Sequence, residues 1–465
     1  MALPITQALL LDGQPFPRVT PFVSAVPTPK RTLFLAASGP AGDGSETHPW
    51  NNLQAALCAL LPGDRLRVQK GIYAGEFRIA GACRDGTNEA PIQVSFESAT
   101  LKSSTDGSPL TITKAFWLID GLRLDLGELS APGLSVAGHD ITIDHASVGG
   151  GRGPGIRVAN GASRVTIANT RVQKAALGQP WPDSIGIEIG AGSSEIRVVS
   201  CELSRNPAGS LRVDSNAAER VARDLTFDSN SIHDDLGPAL ALYGGEKIRV
   251  VNNTIFYGRE RRARSRGIAL EGVRDVSIES NHIADAAVAI RVGFADPHGG
   301  PFLAPRDVSI SRNDIENALP EGTAIDIEAG HRVRVTNNVI ERYADAIMVF
   351  GAPPQTDAVS IANNLVLAVV DVAFVLTDPK AAAYFDHNVF SPPGERVDVQ
   401  VGKKTLSLAN FLKRGTMPHT QLVKGVTLRN RELSAVDGVV TVDQGKALEG
   451  ISFKGSAPDI GVAEK

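Results

Sequence analysis

One short phrase recurs along the chain and leaves few ways for it to fold. It reads LTFDSNSI, IRVVNNTI, VSIESNHI, VSISRNDI, VRVTNNVI, VSIANNLV and AYFDHNVF. The asparagine in register falls at Asn230, Asn253, Asn281, Asn313, Asn338, Asn364 and Asn388, at intervals of 23 to 32 residues. FWLIDGLR, ITIDHASV, VTIANTRV and IRVVSCEL are weaker upstream copies, with Gly121, Ala146, Thr170 and Cys201 in the asparagine position. A second phrase alternates with the first: GIRV, GIEI, SLRV, ALAL, GIAL, AIRV, AIDI and AIMV. Each phrase alternates apolar and other residues over three to five positions, which is a short strand with one buried face. An apolar residue shortly after each asparagine, as in Asn253-Thr254-Ile255, gives a third strand. Three such strands per turn cannot bury anything alone, and stacking of turns must supply the core.

The architecture that satisfies this pattern is all-β: a right-handed parallel β-helix of about 11 to 13 turns. Equivalent residues then stack about 4.8 Å apart. An inward asparagine at a bend can bond both the main chain and the asparagine of the next turn, so corner groups are not orphaned. A leucine-rich repeat would need a helix-forming stretch in every turn, and none is present. Thin stacked layers also fit a chain with 46 glycines, 28 prolines and only 5% aromatic residues. Its 465 residues would ordinarily suggest about three domains; the repeat replaces them with one solenoid.

The ends differ from the middle. Residues 1–31 are expected as an extended segment, with the proline-rich stretch 13–30 lying on the outer wall. The β-helix is expected over 32–402, with a capping helix near 50–61 (WNNLQAALCALL), and a C-terminal capping segment over 403–465. Cys58 and Cys83 either form one bridge or remain free thiols. The first residues carry no basic stretch and small-residue cleavage site, so no signal peptide is visible. No apolar run is long enough for membrane insertion. A net charge of −4 argues against nucleic acid as a partner.

Chemistry is expected on the outward side of the GIAL-type strands. If Leu240, Leu242, Ile268, Leu270, Ile290 and Val292 point inward, one outward column runs Arg157, Glu188, Arg212, Ala241, Ala269, Arg291, Asp326, Met348. A parallel column holds Asp214, Tyr243, Glu271, Gly293, Glu328 and Phe350. Two long loops border this face, Tyr257 to Ser265 and Gly293 to Pro305. The first carries Arg259, Arg261, Arg262 and Arg264, followed by Arg266, against a single Glu260. Arginine forks pair bidentately with carboxylates, which makes an acidic polysaccharide the natural partner. His233-Asp234-Asp235 reads as a turn-forming cluster.

The segments LFLAASGPAGDGSETHPWNNLQAAL, LPGDRLRVQKGIY and GTNEAPIQV, with the closing SAPDIGVAE, resemble bacterial parallel β-helix proteins related to polysaccharide lyases and epimerases. Gly293-Phe294-Ala295-Asp296-Pro297-His298 is similar to an active-site phrase of mannuronan C-5 epimerases, with Ala295 inserted and Val292 where that family has tyrosine. The resemblance implies a lyase or C5-epimerase acting on an acidic polysaccharide, located extracellularly or in the periplasm. Removing the C5 proton of a uronate requires its carboxylate to be neutralised by an arginine, a lysine or a metal, and a base to take the proton. Tyr243, Lys247, Arg291 and His298 are the expected catalytic residues. Arg212, Arg264, Arg266, Asp296 and Asp326 are expected to bind substrate, and Asp214 and Glu271 to hold Ca²⁺. The competing expectation is a non-catalytic glycan-binding, spike or surface structural protein.

Overall fold

The computed structural model describes residue 22 and residues 26–103, 105–174, 183–214, 221–258, 265–293, 303–393, 397–415 and 417–423. Of four further short strands, Leu10–Leu11, Gln14–Pro15, Thr427–Arg429 and Glu432–Ser434, it describes the backbone. The chain winds into a parallel β-helix with three long sheets. One coil shows the plan. Glu246–Val251 lies in sheet 1, Thr254–Phe256 in sheet 2 and Arg266–Glu271 in sheet 3. Arg274–Glu279 then returns to sheet 1 beside Glu246–Val251. Sheets 2 and 3 each contain 14 strands; the last of sheet 2, Gln421–Leu422, belongs to the C-terminal segment, which leaves 13 complete coils among the described residues.

Two devices turn the corner between sheets 1 and 2 in the later coils. Between sheets 1 and 2 a residue takes the left-handed conformation, as at Asn252 (φ 54°), Ser280 (φ 55°) and Asn337 (φ 56°). Asparagine and other small polar residues tolerate that region better than β-branched ones. The kink swings the next side chain inward, where the asparagine lies. Asn253 Nδ2 donates to the carbonyls of Phe227 and Val251, both at 2.9 Å, and to Asn281 Oδ1 at 2.9 Å. Its own Oδ1 accepts from the backbone N–H and the amide of Asn230. The pattern repeats from Asn230 to Asn388. It begins at the backbone N–H of Cys201 and ends at Thr420, whose Oγ1 accepts from the N–H of Asn388.

Upstream, Thr170 takes the same position and accepts from the N–H of Ala146. The earliest copy is displaced by one residue from its expected alignment. Asp120 pairs with Asp144 and Arg123 with Ser147, so Gly121 is the left-handed corner residue (φ 71°) and buried Leu122 takes the inward position.

Stacked isoleucine, valine and leucine fill the interior, and one continuous buried cluster runs from Leu33 to Met417. Helix Leu53–Ala59, N-capped by Asn52, turns Leu53, Ala56 and Leu57 into that cluster. Cys58 and Cys83 are joined in a disulfide, which decides between the two alternatives, and Cys201 is a free buried thiol. Near the N-terminus, Phe22 exchanges two hydrogen bonds with the side chain of Asn169, a corner residue between sheets 1 and 2, and Pro27 accepts from Gln93. Beyond the last coil, Lys404–Ser407 folds back antiparallel on Asp398–Val401, and helix Leu408–Leu412 buries Leu408 and Phe411. The closing SAPDIGVAE lies outside the described residues.

Candidate functional site

The outward face of sheet 3 is assembled by strand register. Arg157 stands beside Glu188, Glu188 beside Arg212, Arg212 beside Ala241, Ala241 beside Ala269, Ala269 beside Arg291, and Arg291 beside Asp326. In the adjoining column Asp214, Tyr243 and Glu271 occupy successive coils. The inward residues of these strands, among them Leu240, Leu242, Ile268, Leu270, Ile290 and Val292, are fully buried. Strand alternation is therefore sufficient to place both columns.

The face has three zones. At its N-terminal end Glu188 is shared by two arginines, with Arg157 Nε at 2.6 Å and an Arg212 terminal nitrogen at 2.9 Å. Asp214 lies 4.0 Å from Arg212. In the middle, Ala241, Tyr243 and Ala269 form a small buried apolar patch although their side chains leave the coil interior. At the C-terminal end Arg291 meets Asp326, with Nε 3.4 Å from Oδ2, and also bonds Glu328. Burial pushes the Asp326 carboxyl up to about 6. Arg291 and the more distant Arg266 pull against this rise, and Glu328 adds to it. Asp326 Oδ1 has no hydrogen-bond partner among the described residues. A carboxyl held near neutrality beside an arginine can exchange a proton with a bound sugar.

The expected site residues fall into three groups. Tyr243, Glu271, Arg291 and Asp326 share this face on consecutive coils, and Arg212 adjoins them from below, while Arg266, partly buried at the start of the Glu271 strand, acts on Asp326 only through its charge. Lys247 does not join them. It sits on sheet 1 at a left-handed bend (φ 55°), exposed, with its ammonium 3.9 Å from Asp224. There it belongs to a charged edge that includes Asp140–Arg164 and Asp307–Arg332. Asp214 and Glu271 do not make one calcium pocket. Tyr243 stands between them in the column, so their backbones are two coil spacings, about 10 Å, apart. Arg264, Asp296 and His298 lie outside the described residues.

Sequence reasoning passed over a charged strip on the outward face of sheet 2. His282 lies 3.0 Å from Asp314 and 3.4 Å from Glu316. Arg342 in turn bonds Glu316. His233 stacks on Phe256 and pairs with Asp234 and Glu202. Burial alone would lower the His233 pKa, but the two carboxylates outweigh it and raise it to about 9. Within the His233-Asp234-Asp235 triplet, Asp234 is the left-handed corner residue and Asp235 is buried, accepting from the N–H of Asn206. The alternation of sheet 2 is only three residues long per coil, too short to single out its outward positions without the corners fixed.

Comparison with known proteins agrees with this architecture. The family model described as right handed beta helix region matches residues 186–366. Among solved structures, the PL6 family alginate lyase AlyGC superposes with a TM-score of 0.53 at 13% identity, over 87% of this chain and 55% of that one. Polygalacturonase from Erwinia carotovora gives 0.50 at 10% identity, over 82% and 99% of the two chains. The Streptococcus pneumoniae surface protein and adhesin PfbA gives 0.50 at 12% identity, over 75% and 91%. At these identities the likeness is one of fold. No curated protein matches the chain in sequence.

Proposed function

We propose that the chain is an enzyme of acidic polysaccharides that abstracts the C5 proton of a uronate, as a lyase or C5-epimerase, on the outward face of sheet 3. The observation that carries this reading is the pairing of Arg291 with the half-neutral Asp326 on the outward face of sheet 3, with Tyr243 and Glu271 on the coils before it. A polyuronate lying along the coil axis would meet Arg212 and Arg291 at different sugar units. Arg291 exchanges one of its own carboxylate partners for the sugar carboxylate and withdraws charge from it, which acidifies C5–H. His298 of the bordering loop would take the proton, as the epimerase resemblance implies, and Asp326, protonated in part near neutral pH, can return one to the leaving oxygen or the opposite ring face, with Tyr243, three coils away, serving a neighbouring sugar unit. Asp296, His298 and Arg264 would complete the site from the bordering loops, as the epimerase resemblance implies. Asp214 and Glu271, the expected calcium ligands, stand on either side of Tyr243, and no step is routed through them. A secreted or periplasmic location follows from this reading, and the Cys58–Cys83 disulfide supports it.

The test is incubation with alginate, polygalacturonate and glycosaminoglycans. Ultraviolet absorbance reports unsaturated ends, and NMR reports uronate configuration. Arg291→Ala should reduce kcat/KM by at least about a hundredfold, as loss of a charge-stabilising group does. Silence in both assays, with retained binding, would favour the second reading, a non-catalytic glycan-binding protein. One observation supports that alternative: Arg157, Arg212 and Arg291 are each already paired with the protein's own carboxylates.

A further inference from the structure

At the last complete coil the corner between sheets 1 and 2 departs from the pattern that precedes it. In the coil before, the strand end and corner are Ala362 and Asn363; here they are Asp386 and His387, with His387 in the left-handed conformation (φ 57°). The returning C-terminal segment lays His419 over them. The two imidazoles stack with centroids 4.4 Å apart, and His419 Nδ1 lies 2.8 Å from Asp386 Oδ2. His387 Nδ1 is 3.7 Å from the same oxygen, and the Tyr384 hydroxyl is 2.7 Å from His387 Nδ1. One ligand atom from each of Asp386, His387 and His419 falls within 4.8 Å of the others.

We infer that Asp386, His387 and His419 form a binding site for a divalent transition-metal ion, zinc being the best match. Two imidazole nitrogens and one carboxylate oxygen suit such an ion better than calcium, which prefers oxygen alone. Ligands about 2.1 Å from a tetrahedral zinc stand roughly 3.4 Å apart, and the separations of the two histidines from Asp386, 2.8 and 3.7 Å, bracket that edge. The carboxylate is also pre-aimed. Asp386 Oδ1 accepts from the N–H of His419 and from Thr420 Oγ1, both at 3.0 Å, which leaves Oδ2 turned toward the histidines. Outer bonds of this kind orient ligands in established metal sites.

The location gives the ion a structural task. Thr420 terminates the asparagine ladder through Asn388, and Gln421–Leu422 pairs with Val389–Phe390. A metal bridging His419 to Asp386 and His387 would fasten the C-terminal segment onto the open end of the stack. It lies at the corner between sheets 1 and 2, not on the sheet 3 face, and stands or falls independently of the enzymatic reading. Asp120, Asp144 and His145 gather at the same corner nine to ten coils earlier, but that group offers one imidazole and two carboxylates, a poorer match to zinc than two imidazoles and one carboxylate.

The test is isothermal titration of the full chain, stripped with chelator, with Zn²⁺ and Co²⁺, together with thermal melts with and without Zn²⁺. One equivalent should bind with micromolar or tighter affinity and raise the Tm by several degrees. His419→Ala, an exposed substitution that should leave the coils folded, should weaken binding at least about tenfold and abolish the Tm rise, and His387→Ala likewise. Bound Co²⁺ should show the visible absorption of a four- or five-coordinate ion. Absence of binding, or binding unchanged in both variants, would overturn the assignment.

Discussion

Asp326 shows how one buried carboxyl ties the candidate site to stability. Its pKa is raised to about 6 in the fold, so the folded state holds its proton over a range where the unfolded chain has already released it. Stability from this group is therefore greatest below about pH 4 and is lost as the pH rises through about 6. Asp326→Asn should leave stability nearly unchanged near pH 4 and raise it by on the order of 1–2 kcal/mol near pH 8, a figure reduced for partial solvation. Urea denaturation at the two pH values checks this, and a loss at pH 8 would mean that the pairing with Arg291 outweighs the burial. Lys174 is the basic counterpart. It is buried, its ammonium donates to the carbonyl of Gly153, and burial lowers its pKa to about 7. Lys174→Met should stabilise the chain by on the order of 2 kcal/mol below pH 7, with the gain shrinking toward pH 10. Of this pair only Asp326 was legible in the sequence, because strand alternation sends it outward with Arg291. Lys174 directly follows a sheet 2 strand, Arg171–Gln173, where side-chain direction depends on a corner that local pattern does not define.

The ladder is the element on which the coils depend. Removing the Asn313 side chain would leave the backbone N–H of Asn281 without its acceptor and take one bond each from the amide of Asn281, the carbonyl of Ile278 and the oxygen of Asn338. Asn313→Ala should therefore cost roughly 3 kcal/mol, read by denaturant midpoint, and Asn313→Leu should not restore it. Substitution at Ala146 should cost far less, since no asparagine lies there to lose its partners. This element was open to reading because the same side chain performs the same task at the same place in seven coils. The one misalignment, at Gly121, has a local cause. FWLIDGLR offers a glycine directly after an aspartate, and only the corner conformation shows that glycine itself is the bend and Leu122 the inward residue. Lys247 was misjudged in a similar way. Only three residues separate it from Tyr243, yet Gly244 and Gly245, both at positive φ, carry the chain around a corner between them.

Across the whole molecule, contacts are made almost entirely between successive coils, so stability is a sum over neighbours and damage stays local. The disulfide is a case in point. It closes a separation of 25 residues and ties helix Leu53–Ala59 to the segment after the first coil. Replacing both cysteines by serine should cost about 3 kcal/mol, and hydrogen exchange should place the loss in the N-terminal coils, leaving the amides near Asn313 protected. The global shape was legible from periodicity because periodicity is a property of the whole chain. The site was less so, because its bordering loops vary in length and follow no repeat. That unevenness has a mechanical consequence. Successive ladder asparagines are 23, 28, 32, 25, 26 and 24 residues apart. Stretched between its ends, the protein should peel coil by coil and release about 8 to 11 nm at each step. Among the coils between successive ladder asparagines, the one between Asn281 and Asn313 would give the longest step and leave its mark in a force trace.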